Sequence, residues 1–459
     1  MSGGGLLQLV AFGAQDVYLT ANPQITYWKL IFRRYTNFSM ECISQQFNGA
    51  PDFGRKVSCV LSRNGDLIHK IYLHVTLPDI TVPVGASFRW LNYVGYVLLR
   101  NVEFTIGGQR IDKHYGEWLY IWSELSCKPG HAMGLATLVG NVPALTRVVV
   151  NSGATPKVVP GTTLYIPLQF FFCQSPGLAL PLIALQYHES RIDLEFRPIT
   201  ECCWSSPGFT PSGSMTSELL CDYIYLDSDE RKRFAQVSHE YLIPQLQFTG
   251  DETANGVNTS IKINFNHPTK ELVWVVQPST FTEATAAGGP AYGRQWFNFT
   301  TEVDVDSLSG IPTPHLGGGM AATGGIGQDA ALSNLWNNSN LLDTYLDTGK
   351  NPVSMAKLQL NGHDRFQERE GKYFNYVVPL CAHENVPPCG INCYSFALRP
   401  EEHQPSGTLN FSRIDTATLK LTLDADTFTG GRDARVKIFA VSYNVLRVMS
   451  GMGGLAYSS

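Results

Sequence analysis

The chain has 459 residues, 44% of them hydrophobic and 16% charged, which is a globular composition with more length than one modest core needs. Its net charge is −5 and its pI about 6.1, and no basic stripe or tail that would neutralise nucleic acid through clustered Lys and Arg is present. No stretch approaches the twenty or so apolar residues that cross a bilayer, and the ten cysteines suit reduced thiols in a cell.

The opening "LLQLVAF" lacks a basic lead-in and is cut short by Gly13, so no signal peptide is expected. From Asn22 onward the spacing predicts a short amphipathic helix. Asn22 suits the N-cap and Pro23 the first helical position. Ile25, Trp28, Phe32 and Tyr35 recur at three- and four-residue steps, while Lys29, Arg33 and Arg34 supply the polar remainder. A helix this apolar must bury itself in its own body or in a neighbouring molecule, and residues 1–38 are read as an N-terminal arm.

Beyond the arm, alternation of period two dominates. Ile71, Leu73, Val75 and Leu77 share one face, as do Ile192, Leu194 and Phe196. The pattern returns at Ile261, Ile263 and Phe265, at Leu419, Leu421 and Leu423, and at Val436 and Ile438. Half-buried strands between Gly, Pro and Asn turns indicate antiparallel sandwiches. Helical patterns are few, the clearest being "GEWLYIWSEL" at 116–125.

An internal duplication divides the chain. "FTIGGQRIDKHYGEWLYIW" (104–122) aligns with "LQLNGHDRFQEREGKYFNYV" (358–377): a strand, a Gly turn, an Arg, then a Gly opening an aromatic helical run. The residues that carry it are Gly107, Gly108, Arg110, Gly116 and Trp118 in one copy, and Asn361, Gly362 and Arg365 in the other. A second pair aligns the "RID" at Arg191 with the "RID" at Arg413 to Asp415. The fold class is therefore all-β: two tandem eight-stranded antiparallel jelly rolls with a short N-terminal helical arm and few other helices. The expected divisions are the arm 1–38, a first jelly roll 39–226, a linker 227–242 and a second jelly roll 243–459. The Gly- and Ala-rich segment 313–331 is expected to be a surface loop.

Catalytic and metal chemistry finds no footing. His188-Glu189, His239-Glu240 and His383-Glu384 lack the second histidine of a zinc-protease motif, and no phosphate-binding loop or nucleophile elbow occurs. "CAHENVPPCGINC" lacks paired zinc-ligand spacing, so Cys381, His383, Cys389 and Cys393 read as core residues beside a Pro-rich turn. Asp364, Glu368 and Glu370, interleaved with Arg365 and Arg369, read as a salt-bridged surface. No catalytic residue, cofactor or metal is assigned. A glycan-processing or glycan-binding protein on twin jelly rolls is the alternative, and it requires two carboxylates converging in a cleft.

"GAQDVYLTANPQIT", "RRYTNF", "IGGQRIDKHYGEW", "LNGHDRF" and "PSGTLNFSRID" together resemble the major capsid proteins of nucleocytoplasmic large DNA viruses, in the order that family uses. The chain departs from it at Ala21, where Gly is frequent, and at Tyr27-Trp28, where paired Phe is common. The resemblance implies a structural subunit and no enzyme. It implies a homotrimer with pseudo-hexagonal outline that tiles an icosahedral shell beside neighbouring capsomers, penton and minor capsid proteins. An internal membrane beneath the shell, a virion location, assembly in the host cytoplasm and no direct contact with nucleic acid are also implied. On this reading the arm lies under the capsomer and the long loops crown its outer face.

Overall fold

In the computed structural model the described residues are 3–24, 32–128, 130–283, 293–301, 350–429 and 431–457. The chain divides into two compact units, Met1–Phe38 and Ser39–Ser459.

The first unit holds a helix over Gly4–Val10, a 3-10 turn over Ala14–Asp16 and a helical turn over Val17–Thr20. The "GAQD" string forms a local cap: the Asp16 carboxylate accepts from the Gly13 N–H at 2.7 Å. The amphipathic helix expected after Asn22 is not borne out at its ends. Asn22 sits at φ 51°, the left-handed region, whereas an N-cap residue is extended. Residues 32–37 carry no helix, and Phe32 and Tyr35 are 80% and 85% exposed. A short helix is marginal unless its apolar face is packed, and here the chain runs on through Thr36 and Asn37 into a strand. Ile25, Trp28 and Lys29 lie outside the described residues.

The second unit is built from two sandwiches of one topology. In the first, one sheet runs in the order Phe38–Gln45, Thr216–Leu226, Leu67–Thr76, Thr163–Pro167. The facing sheet runs Lys56–Val60, Ser190–Phe196, Leu99–Ile106, Gln109–Tyr115. In the second, His239–Ala254, Ala434–Met449, Pro268–Pro278 and Ile391–Ser395 face Asn258–Ile263, Ala417–Leu423, Val353–Leu360 and His363–Asp364. Numbered in chain order within a sandwich, both sheets read 1-8-3-6 and 2-7-4-5. That is a long hairpin rolled up on itself, which defines the jelly roll. Shorter strands join each path, among them Leu180–Pro181, Leu409–Asn410 and Met452–Leu455.

Alternation explains which faces pack. Ile71, Leu73 and Val75 point into the first core while Lys70, Tyr72 and His74 face outward. In the second sandwich Leu272, Trp274 and Val276 line its own core. Their neighbours Val273 and Val275 are just as buried but belong to the first core, together with Phe439 and Val441. Strand Pro268–Pro278 is therefore buried on both faces, and one apolar core continues from the first sandwich onto the outer face of the second. Between the sandwiches, Ser228–Gln236 forms a helix without buried residues, capped by Asp227, and the next strand begins at His239. The Gly-rich segment 313–331 lies outside the described residues.

Candidate assembly surfaces

The duplicated motif is duplicated in three dimensions. Gly107 and Gly108 sit at φ 57° and 84°, Asn361 and Gly362 at 50° and 82°. Positive φ at both central residues of a two-residue turn is the geometry that matches strand twist in a hairpin. After each hairpin a glycine opens a helix. A Cβ on Gly116 would overlap the carbonyl oxygens of Tyr96 and Leu99, and one on Gly371 would overlap that of Val353. Leu99 and Val353 are each the first residue of the strand that starts the hairpin. Both helices are thus laid against the same point of the same strand, and only glycine permits the approach.

The helix Gly116–Ser126 joins the sandwiches. Trp118 stacks on Trp122 at 5.7 Å and packs on Phe439 at 5.3 Å, which stacks on Phe248 at 4.7 Å. Tyr115 meets Phe248 edge-on at 5.0 Å. Hydrogen bonds bracket these rings. The Asp112 carboxylate accepts from the Leu246 N–H at 3.2 Å, and the Gln245 side-chain amide donates to the Ile111 carbonyl. At the far end of the helix, Asn385 donates its backbone N–H to the Leu125 carbonyl (3.1 Å) and its side-chain amide to that of Glu124 (2.9 Å). The first hairpin also reaches across: Gln109 Oε1 accepts from the Leu455 N–H, and a Cβ on Gly107 would strike the His188 ring, whose Nδ1 lies 2.9 Å from the Gly453 carbonyl.

A buried charge cluster sits in the same seam. Arg197 Nη2 lies 2.9 Å and Lys437 Nζ 3.4 Å from one oxygen of Glu117, all three side chains being about nine-tenths buried. Burial alone would raise the Glu117 carboxyl, but the cations of Lys437 and Arg197 outweigh it and hold the group at about 2. Arg197 is also clamped over the Trp296 ring at 3.9 Å. A second cluster lies behind the helical run 371–382. His383 is wholly buried, with Nε2 3.1 Å from Glu271 and Nδ1 2.7 Å from Glu401. Burial pulls its pKa down, yet the Glu271 charge, together with contacts to Cys393, Glu271 and Glu401, raises it to about 12. The histidine is engaged by carboxylates. Among the described residues no group of three or more His, Cys, Asp or Glu is placed to hold a metal.

The remaining sequence-singled residues scatter. Arg110 is exposed in the first hairpin, and Arg365 lies 5.8 Å from the Tyr394 ring. Asp364 pairs with Lys357 at 2.7 Å, which is a surface ion pair and no cleft. The "RID" echo does not survive. Arg191 lies inside strand Ser190–Phe196, but Arg413 ends a 3-10 turn and Asp415 precedes strand Ala417–Leu423. By strand pairing Ser190, opposite Ile106, corresponds to Ala417, opposite Leu360, so the echo is out of register by five residues. Arg413 and Asp415 are exposed surface. Sequence reasoning missed Arg197, Lys437, Glu271 and Glu401. Lys437 and Glu271 break the apolar run of their strands, the one signal available.

Comparison with known proteins is consistent along the chain. Residues 26–227 match the family described as major capsid protein N-terminus, and residues 230–454 that described as large eukaryotic DNA virus major capsid protein. The major capsid protein of Phaeocystis pouchetii virus is 48% identical, with 99% of this chain and 100% of the relative covered. That of Paramecium bursaria Chlorella virus 1 is 42% identical over 99% and 100%. Among solved structures, a chain of the quasi-atomic PBCV-1 virus capsid aligns at TM-score 0.71 with 38% identity, covering 95% of this chain and all of its own. The Faustovirus major capsid protein, at 14% identity, aligns at 0.70 over 97% and 96%, a likeness of fold alone.

Proposed function

Because the chain belongs to the major capsid proteins of large eukaryotic DNA viruses, building blocks of the virion shell, we propose that it acts as a homotrimeric capsomer of pseudo-hexagonal outline that tiles an icosahedral capsid, with no catalytic role. The observation that carries this reading is the seam. Two sandwiches of one topology, locked by a continuous core and a buried ion cluster, form a doubled wedge of fixed angle. Three such wedges, head to tail, give six near-equivalent sides, the shape that fits a hexagonal lattice. The working division is an arm 1–38, jelly rolls 39–226 and 243–459, and a connector 227–242. The arm lies beneath the capsomer. Ile25, Trp28, Phe32 and Tyr35 pack against neighbouring capsomers, penton or minor capsid proteins, and Lys29, Arg33 and Arg34 meet acidic partners or an internal membrane. Synthesis and assembly take place in the host cytoplasm.

Sedimentation of the purified full chain and of a chain lacking residues 1–38 tests both parts. The full chain sediments as three 50.7 kDa copies, about 152 kDa. The truncated chain keeps the trimer but loses higher assembly. A truncated chain that assembles normally removes the arm's role.

A further inference from the structure

The two equivalent helices are treated unequally. Every residue from Gly116 to Leu125 is buried, because the second sandwich covers that helix. The helical run 371–382 stands at the equivalent place, after the equivalent hairpin. Its inner residues Phe374 and Val378 are buried, but Tyr376 (41%), Val377 (45%) and Leu380 (73%) form an exposed apolar face. Its first turn is a π-helix, just ahead of Pro379, which has no N–H to return to the Asn375 carbonyl. Within the chain, then, the hairpin helix of one wedge packs on the outer face of the next wedge's 1-8-3-6 sheet. The second wedge has such a helix, and its apolar face is exposed among the described residues.

The first wedge has such a sheet, and among the described residues its outer face is left partly exposed. Its outer face presents Tyr72, His74 and Leu220, half-buried, with Tyr165 (38%) and Lys70 exposed; it is the face that in the second sandwich bears Phe439, packed on Trp118. Charge agrees as well. In the covered seam the helix carries Glu117 and the receiving strand Ala434–Met449 carries Lys437. In the uncovered pair the helix carries exposed Lys372, and the equivalent strand Thr216–Leu226 carries Glu218 and Asp222 on its outer face. On these two strands both signs are reversed, although Glu218 already lies 3.1 Å from His74 and Lys70 adds one cation to the receiving face, so Asp222 is the acidic group left to meet Lys372.

We propose that Tyr376, Val377 and Leu380, with Lys372, dock on the Tyr72, Tyr165 and Leu220 face of a second copy of this chain, repeating between copies the contact that joins the two sandwiches within one. The contact is heterologous, and repeated around a closed ring it leaves no helix and no sheet face uncovered. This rests on the trimer reading above and assigns its seam.

Size-exclusion chromatography with light scattering tests it on the full chain, with circular dichroism to confirm folding. Wild type runs at about 152 kDa, three times the 50.7 kDa chain. Leu380→Asp and Leu220→Asp each shift the population to the monomer while the circular dichroism spectrum stays that of the folded chain. Lys372→Glu, an exposed site that leaves the fold intact, weakens the trimer at least tenfold in dissociation concentration, and adding Glu218→Lys with Asp222→Lys recovers it. A wild-type trimer indifferent to all these changes overturns the seam, leaves the trimer standing and gives the helix face to another occupant, such as a neighbouring capsomer. A wild-type monomer overturns the trimer reading itself.

Discussion

Replacing Glu117 by Gln tests how firmly the two sandwiches are locked. The change keeps the shape of the side chain and removes the one negative charge shared by Arg197 and Lys437. The gap between the ordinary carboxyl value of 4.5 and about 2 in the folded chain corresponds to about 3 kcal/mol, at about 1.4 kcal/mol per pH unit. Breaking buried pairs by removing one partner costs about 3–5 kcal/mol, so two independent routes agree. Arg197 keeps a second carboxylate, Glu201, at 3.5 Å, which places the expectation at the lower end. The folded-state pKa is depressed, so the stabilisation is complete above pH 4.5 and is lost as pH falls towards 2. Urea unfolding of both proteins at pH 7 should show the variant less stable by about 3 kcal/mol, and the difference should shrink between pH 4.5 and 3. A difference below about 0.5 kcal/mol at pH 7, in the range of an ordinary surface substitution, would refute the claim that this cluster holds the seam.

Two further outcomes follow from the geometry. Gly371→Ala drives a Cβ into the Val353 carbonyl and should leave the chain insoluble or at least about 3 kcal/mol less stable, whereas Gly134→Ala, with nothing within 4 Å, should be neutral or stabilising by up to about 1 kcal/mol; melting temperatures separate the two. His383→Gln strips Glu271 and Glu401 of their shared cation and should cost about 3 kcal/mol at neutral pH. Because the His383 pKa is raised, that contribution is full below about pH 6.5 and fades as pH rises towards 12, so an unfolding series from pH 6 to 10 should show the variant's deficit narrowing steadily once the pH passes about 6.5.

What was legible in the sequence was local. Alternation marked the strands because each sandwich has one core face and one other face, and the Gly-Gly and Asn-Gly turns marked both hairpins because positive φ restricts the residues allowed there. Repetition of those turns gave away the duplication. The seam was less legible because burying both faces of strand Pro268–Pro278 erases alternation, turning it into a near-continuous apolar run with Glu271 as its one charged interruption after Lys270. Trp118 was recognisable as core, but nothing local says that the core it enters belongs to the other half. The "RID" echo misled because three residues carry no register, and only strand pairing shows Arg191 inside a strand and Arg413 before one. In the arm, apolar periodicity pointed to a helix reaching Tyr35, yet periodicity alone does not supply the packing that would hold it.

Electron microscopy of the purified assembled protein tests the central claim most directly. The account predicts particles of three chains with a six-sided outline, in which two wedges per chain alternate around a threefold axis and the 371–382 helix of each copy meets the first sandwich of the next. Isolated single chains, or an assembly whose 371–382 helices face solvent, would contradict it.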